Sequence, residues 1–285
     1  MNIGIKQDDH ADRYSFKYKE LQMKQVIFAL VCGGAIALSS GCGKQRIAVT
    51  AAGSTAFQPF AEKLAEQFMA EHSDIAVTIQ GGGSALGVQA ALSGAAQIGM
   101  ADLVKLPPEA QALTSVVVAR DGIAVVVNNA NPAKDLTMEQ IRDIFSGKIS
   151  NWKQLGGADH GITVVSREAG SGTRSSFEQI VKDVVLTKDA IIQDSNGTIR
   201  ETVIMDENAI GYLSHGLLNE KLKAVTVHGT ACTTEEVVAG RYPIVRPVYL
   251  LTKGAPTGAC KAFIDYVCSD EGQKTIKESG LIPAK

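Results

Sequence analysis

This chain has no surplus of positive charge. Its 28 Lys and Arg stand against 30 Asp and Glu in 285 residues, for a formal charge of -2. No basic field would therefore draw in nucleic acid or an acidic membrane surface, and any anion site must be local. Charged residues make up only 20% and apolar ones 45%, a globular balance that can bury a sizeable core in one large domain or two of ordinary size. The phosphate loop Gly-x-x-x-x-Gly-Lys-Ser/Thr is absent, and the glycine run at 81–87 has Leu86 where the dinucleotide fingerprint needs its third glycine. The same Leu86 breaks Gly-x-Ser-x-Gly around Ser84, so there is no nucleophile elbow. His10, His72, His160, His215 and His228 are scattered, which leaves any Ser/His triad without a base. The five cysteines lack the paired short spacings of a zinc site. Cys232, Cys260 and Cys268 read as buried thiols, and a disulfide would require Cys232 with one of the other two. Internal repeats and low-complexity linkers are missing as well.

The N-terminal region addresses the compartment. Residues 1–22 are polar and without apolar periodicity, and they read as an upstream extension, with Met23 the expected start. Residues 23–41 have a short cationic start and an apolar run too short for a comfortable membrane span. Small residues then precede Cys42, in the outline of a bacterial lipoprotein signal with Cys42 as the lipidation site. Ser39 stands where such signals usually carry Leu.

Beyond Cys42, strand and helix patterns alternate: strands at 47–50, 75–79 and 98–100, with helices at 56–70 and 85–93. This predicts a mostly parallel sheet with helices on both faces. Two long β-rich runs, 116–128 interrupted at Asp121 and Gly122, and 241–252, bracket a middle segment with its own elements. The expected organisation is α/β with two crossovers: a first lobe over 46–122 and 245–285, a second over 123–244, and a ligand cleft between them.

The segment from Ser166 to Arg174 follows the apolar run 162–165 and leads into a helix pattern. Small residues permit close backbone approach, the first helical N–H groups of Gly172 and Thr173 are unpaired, and Ser171 and Thr173 add hydroxyls beside the Arg167 cation. Three companion loops fall at the carboxyl ends of other strands: Thr55 with Ala56, Ser84, and Asp102. A carboxylate beside an anion repels its guest unless the guest carries a proton, because an ionised carboxylate only accepts hydrogen bonds. Phosphate at neutral pH has a P–OH to donate and sulfate has none, so Asp102 would reject sulfate by about a few kcal/mol. A helix cap or a partner for Arg167 is the other role open to Asp102. Trp152 reads as a packing anchor, Asn196 with Gly197 as the cap of the next helix with a place at the border of the cleft also open to Asn196, and Asp121 as a hinge-side residue.

Taken together, Gly-Ser-Thr-Ala at 53–56, Gly-Gly-Gly-Ser at 81–84, Ile-Gly-Met-Ala-Asp at 98–102, Arg167 with Ser171-Gly-Thr173, Ala-Ile-Gly-Tyr at 209–212 and Arg-Pro-Val-Tyr-Leu-Leu at 246–251 resemble the periplasmic phosphate-binding proteins of the phosphate-specific ABC importer, lipoprotein type. The likeness runs from about residue 47 to 283. It implies a type II periplasmic binding fold whose lobes close on one dehydrated phosphate, with no metal, no cofactor and no catalysis. By the same resemblance Thr55, Ala56, Ser84, Arg167, Ser171, Gly172 and Thr173 supply donors and Asp102 the acceptor. Many relatives have Phe where Ala56 stands, so only the main-chain role carries over there. The implied partners are inorganic phosphate, an inner-membrane permease and its ATPase, and the implied form is a lipid-anchored monomer in the periplasm or cell envelope. A receptor for molybdate, tungstate or sulfate, a phosphate sensor and a phosphatase-like enzyme are the alternatives.

Overall fold

The computed structural model describes residues 46–284; the expected extension, export signal and Cys42 lie outside them. The described chain forms one compact unit. Its strands in chain order are β1 (Ile47–Gly53), β2 (Ile75–Gln80), β3 (Ile98–Ala101), β4 (Thr114–Asn128), β5 (Asp135–Leu136), β6 (Thr163–Arg167), β7 (Ile191–Gln193), β8 (Ala209–Ser214), β9 (Leu222–Ala224), β10 (Thr226–Val227), β11 (Val245–Thr252) and β12 (Ile282–Pro283). The helices are α1 (Gln58–Glu71), α2 (Ser84–Ser93), α3 (Met138–Phe145), α4 (Gly172–Val181), α5 (Asn196–Met205), α6 (Thr234–Val238), α7 (Gly258–Cys268) and α8 (Asp270–Glu278).

The main sheet runs β2-β1-β3-β11-β4-β8-β6-β7. Pairing is parallel within β2-β1-β3 and within β8-β6-β7. It is antiparallel wherever β4 and β11 take part. The sheet is therefore mixed rather than mostly parallel, because both long β-rich runs cross between the two halves against the direction of their neighbours. The crossover is a change of partner along one strand: Thr114 to Gly122 of β4 pair with β11, and Ile123 to Val127 pair with β8.

Two apolar cores flank this changeover. One gathers Val49, Phe60, Leu64, Phe68, Phe263 and Ile276 on the β1 side. The other gathers Ile123 to Val127, Phe145, Phe177, Ile199 and Tyr212 on the β8 side. In the second core the rings of Phe177 and Tyr212 stack at 4.1 Å and 11°. That contact ties α4 to β8 and so holds the N-terminus of α4 against the sheet. Trp152 is 3% exposed and donates to the Asn208 carbonyl at 3.0 Å, as a packing anchor should.

Local differences from the sequence pattern have local causes. The run 241–252 is a strand only from Val245, because Pro243 has no N–H for a ladder and Tyr242 instead turns inward to donate to the Ile123 carbonyl at 2.7 Å. The β-rich stretch 224–227 divides at Val225 into β9 and β10, whose partners are β4 and β5. Three-residue β7 gives too short a signal to read from the pattern. Helix α5 is capped by Ser195, whose side chain accepts from Thr198 N, so Asn196 is already its first residue. Cys232 is a buried free thiol, pushed up in pKa by that burial, whereas Cys260 and Cys268 are only partly buried.

Candidate functional site

The four predicted loops converge at the seam between the two halves. Arg167 ends β6 and Ser171 caps α4, its hydroxyl accepting from Arg174 N at 3.2 Å. Across the seam stand the loop after β1 with Thr55 and Ala56, the start of α2 with Ser84, and Asp102 just past β3. The halves bond directly: Arg167 Nη2 donates to Thr55 Oγ1 at 3.0 Å, Ala85 N to the Gly170 carbonyl at 3.2 Å, and Ser176 Oγ to the Asp102 carbonyl at 3.1 Å. Ser84, Asp102, Arg167, Ser171 and Thr173 are all 2% exposed or less, so the seam is shut to water.

Two glycines permit this approach. Gly83 precedes α2 with φ +89°, a conformation costly for other residues, and a Cβ there would strike the Gly170 carbonyl. A Cβ on Gly172 would collide with Ser84 Oγ and Asp102 Oδ1. The first turn of α4 therefore lies directly against the carboxylate.

The hydroxyls are arranged with their protons to spare. Thr55 Oγ1 accepts from Arg167, Ser171 Oγ from Arg174 N, and Thr173 Oγ1 from Asn196 Nδ2 at 3.5 Å. Among the described residues none of the three has a hydrogen-bond acceptor, so each can offer its O–H to a guest. Ser84 differs: its hydroxyl donates to Asp102 Oδ1 while accepting from Asp102 N at 3.1 Å.

Arg167 is 1% exposed and held on two edges. Glu168 receives Nε and Nη2, both at 2.9 Å, and the carbonyls of Gln193 and Asp194 receive further bonds at 3.2 and 2.9 Å. The third nitrogen, Nη1, is buried without a hydrogen-bond partner among the described residues. Ser166, just before it, is fixed by Tyr212 Oη at 2.8 Å, and burial pushes that phenol's pKa up to about 12.

Asp102 is neither a helix cap nor the partner of Arg167. Its Oδ2 lies 2.6 Å from Arg246 Nη1, an ion pair that lacks hydrogen-bond alignment, so Oδ2 still has no hydrogen-bond partner among the described residues. Arg246 in turn gives Nε and Nη2 to Asp121 Oδ2 at 3.1 and 2.8 Å, and Ser214 Oγ donates to Asp121 Oδ1 at 2.8 Å. Asp121 is thus more than a residue beside the hinge; its pKa is raised by desolvation, against the opposing pull of Arg246. Asn196 also belongs here, since its side chain reaches both Thr173 and Ser214 N, the latter at 2.9 Å.

Sequence reasoning passed over Arg246 as a side chain with work to do. A signal was present: charged residues are almost never fully buried unless paired, and Asp121 and Arg246 are opposite charges inside the two apolar crossover runs.

Known proteins share this architecture. Residues 39–271 match the model of the PBP superfamily domain. The phosphate-binding protein PstS of Bacillus subtilis is 38% identical over 240 residues, covering 82% of this chain and 80% of that protein. A structure from Clostridium perfringens, described as a phosphate ABC transporter substrate-binding protein with bound phosphate, is 42% identical with a TM-score of 0.81, over 84% of this chain and all of that one. An ABC-type phosphate transport receptor from Vibrio cholerae is 35% identical with a TM-score of 0.71, over 82% of this chain and 99% of that one. With this fold, this seam and these relatives, the chain belongs to the PstS family of phosphate-binding proteins within the PBP superfamily.

Proposed function

We propose that the chain captures inorganic phosphate in the seam between its lobes, 46–122 with 245–285 on one side and 123–244 on the other, and delivers it to a membrane permease driven by an ATPase. One observation carries this reading: among the described residues the buried side-chain atoms left unmatched are one donor, Arg167 Nη1, and one acceptor, Asp102 Oδ2. Hydrogen phosphate supplies both counterparts, a bare oxygen for the guanidinium and a P–OH for the carboxylate. Sulfate, molybdate and tungstate offer only acceptors at neutral pH. Thr55, Ser171 and Thr173 add hydroxyl protons, while Ala56, Gly172 and Thr173 add backbone N–H groups at a loop and a helix start. Ser84 orients Asp102 until the ion arrives and then turns its proton to a phosphate oxygen.

No bond is made or broken, and the protein is a receptor rather than an enzyme. Closing the lobes removes water and strengthens every charge-assisted hydrogen bond to the ion, so the shut form is the one that reports a loaded site. The leader carries the chain out of the cytoplasm, and a lipid on Cys42 holds it at the membrane as a monomer. The names of the relatives and the phosphate in the Clostridium perfringens structure support this reading.

A thermal-shift panel tests it. Phosphate should raise the melting temperature in proportion to its affinity, and sulfate and molybdate should not. An equal rise with molybdate would move the chain to another oxyanion, and steady hydrolysis of a simple phosphate ester would make it an enzyme. Incorporation of labelled fatty acid that is lost in Cys42→Ser tests the anchor.

A further inference from the structure

A carboxylate facing an anion in a water-free seam has an electrostatic problem that its own hydrogen bonds do not solve. Ser84 Oγ, from α2, gives Asp102 a single neutral bond. Arg167 belongs to Glu168, a salt bridge of 2.9 Å on the far side of the seam. The cation on Asp102 is Arg246 of β11, 2.6 Å from Oδ2 and wholly buried. Its contact leaves Oδ2 without an aligned hydrogen bond, so the charge is balanced while the lone pair stays available.

We infer that Arg246 is a positioning residue for phosphate recognition: it balances the charge of Asp102 and aims it, so that the carboxylate acts as an acceptor without presenting uncompensated negative charge to the ion. This inference rests on the reading of Asp102 as the acceptor of the phosphate proton. Arg246 is itself fixed by Asp121 through Nε and Nη2, opposite it in the β11–β4 register. Register therefore sets the guanidinium at the place where β4 changes partners. The chain of bonds continues from Asp121 to Ser214, Asn196 and Thr173, so the acceptor of one lobe is linked to a donor of the other through both crossover strands. The charged and titratable groups around Asp102 are Arg246 in contact, Asp121 behind it with Cys232 and Tyr242 nearby, and Arg167 with Glu168 across the seam.

Without the guanidinium, the Asp102 carboxylate loses its aim as an acceptor for the P–OH, so the preference for phosphate over sulfate should narrow. The test measures phosphate and sulfate affinity by calorimetry near pH 8, where both ions are mainly dianions and differ in the P–OH. Arg246→Gln keeps a polar partner for Asp121. Arg246→Met with Asp121→Leu removes the rear pair together, so that no lone rear carboxylate is left behind. In either background that melts cooperatively, the phosphate-to-sulfate affinity ratio should fall about tenfold or more below that of the unmodified protein. Arg246→Lys, which retains the charge, should hold the ratio near that of the unmodified protein. An unchanged ratio in folded Arg246→Gln would overturn the inference and leave Arg246 a purely structural residue. An unmodified protein that binds sulfate as tightly as phosphate would instead overturn the reading of the site itself.

Discussion

Two guanidinium groups lie at the centre of this molecule, each about 1% exposed and each paired with carboxylate, yet they are finished differently. Arg246 has every nitrogen engaged, by Asp121 on one edge and Asp102 on the other. Arg167 is saturated on two nitrogens and bare on the third. Burial alone therefore does not mark a ligand contact. What marks it is an incomplete hydrogen-bond set in a place where incompleteness is costly, since an unmatched buried donor forfeits about 1–3 kcal/mol, more when charged. On the proposed reading the two arginines divide the work between the proposed lobes, with β6 offering a cation to the guest and β11 standing behind an acceptor.

Substitutions can sharpen or break this contrast. The largest effect belongs to Arg167→Met, which should weaken phosphate binding about a hundredfold or more, the scale of a lost charge-assisted bond in a dry site. Glu168, left without its partner, is one-third exposed and can be solvated, so the fold should persist. Calorimetry beside a thermal melt separates the two, and a loss under about threefold would show that the bare nitrogen is not a ligand contact.

Next comes Asp102→Asn. An amide can donate as well as accept, so sulfate gains a partner and the phosphate preference should narrow by about ten- to a hundredfold, the worth of one facing-acceptor clash. Unchanged discrimination in competition binding would remove Asp102 from the recognition scheme.

Gly172→Ala should act through packing rather than chemistry. Its Cβ meets Ser84 Oγ and Asp102 Oδ1 only when the seam is shut, so phosphate affinity should fall by about tenfold, a typical overpacking cost of 1–3 kcal/mol. The melting temperature should drop less with phosphate absent than with it present. Equal drops would mean that the glycine serves folding alone.

The smallest effect is expected at a third arginine pair. Arg241 grips Glu236 with bonds of 2.5 and 2.8 Å, and that hydrogen bond chiefly lowers the glutamate's pKa, but both lie at the surface. A depressed carboxylate stabilises above its ordinary pKa, and the stabilisation disappears as pH falls through the lowered value. Arg241→Ala should consequently leave phosphate binding unchanged and alter the melting temperature slightly at neutral pH, with the difference vanishing in acid. A large loss of stability would mean that ideal geometry outweighs burial here.

Much of this site could be read along the chain because its loops are local objects. A β-branched run, then small residues, then a helix start is a contiguous pattern, and it located Thr55, Ser84, Asp102 and the stretch from Arg167 to Thr173. The interruption of the run 116–128 at Asp121 and Gly122 likewise coincides with the point where β4 changes partners. Arg246 was out of reach for a different reason. Its meaning comes from the register that sets it opposite Asp121 and from the loop that brings Asp102 to its other edge, and neither is written within ten residues of it. Asn196 was misread on a finer scale: Ser195 and Asn196 are both good caps by residue type, and only the Ser195 bond to Thr198 N decides between them. The antiparallel crossovers likewise follow from connection geometry, which apolar spacing does not encode.

The central claim is that one unmatched donor and one unmatched acceptor select an oxyanion that still carries a proton. Its most direct test is side-by-side calorimetric titration of residues 43–285 with phosphate and sulfate near pH 8, where phosphate is mainly the hydrogen phosphate dianion and matches sulfate in charge. The account predicts that phosphate binds at least about a hundredfold more tightly, since charge is equal and only the P–OH differs. Equal affinities would contradict it.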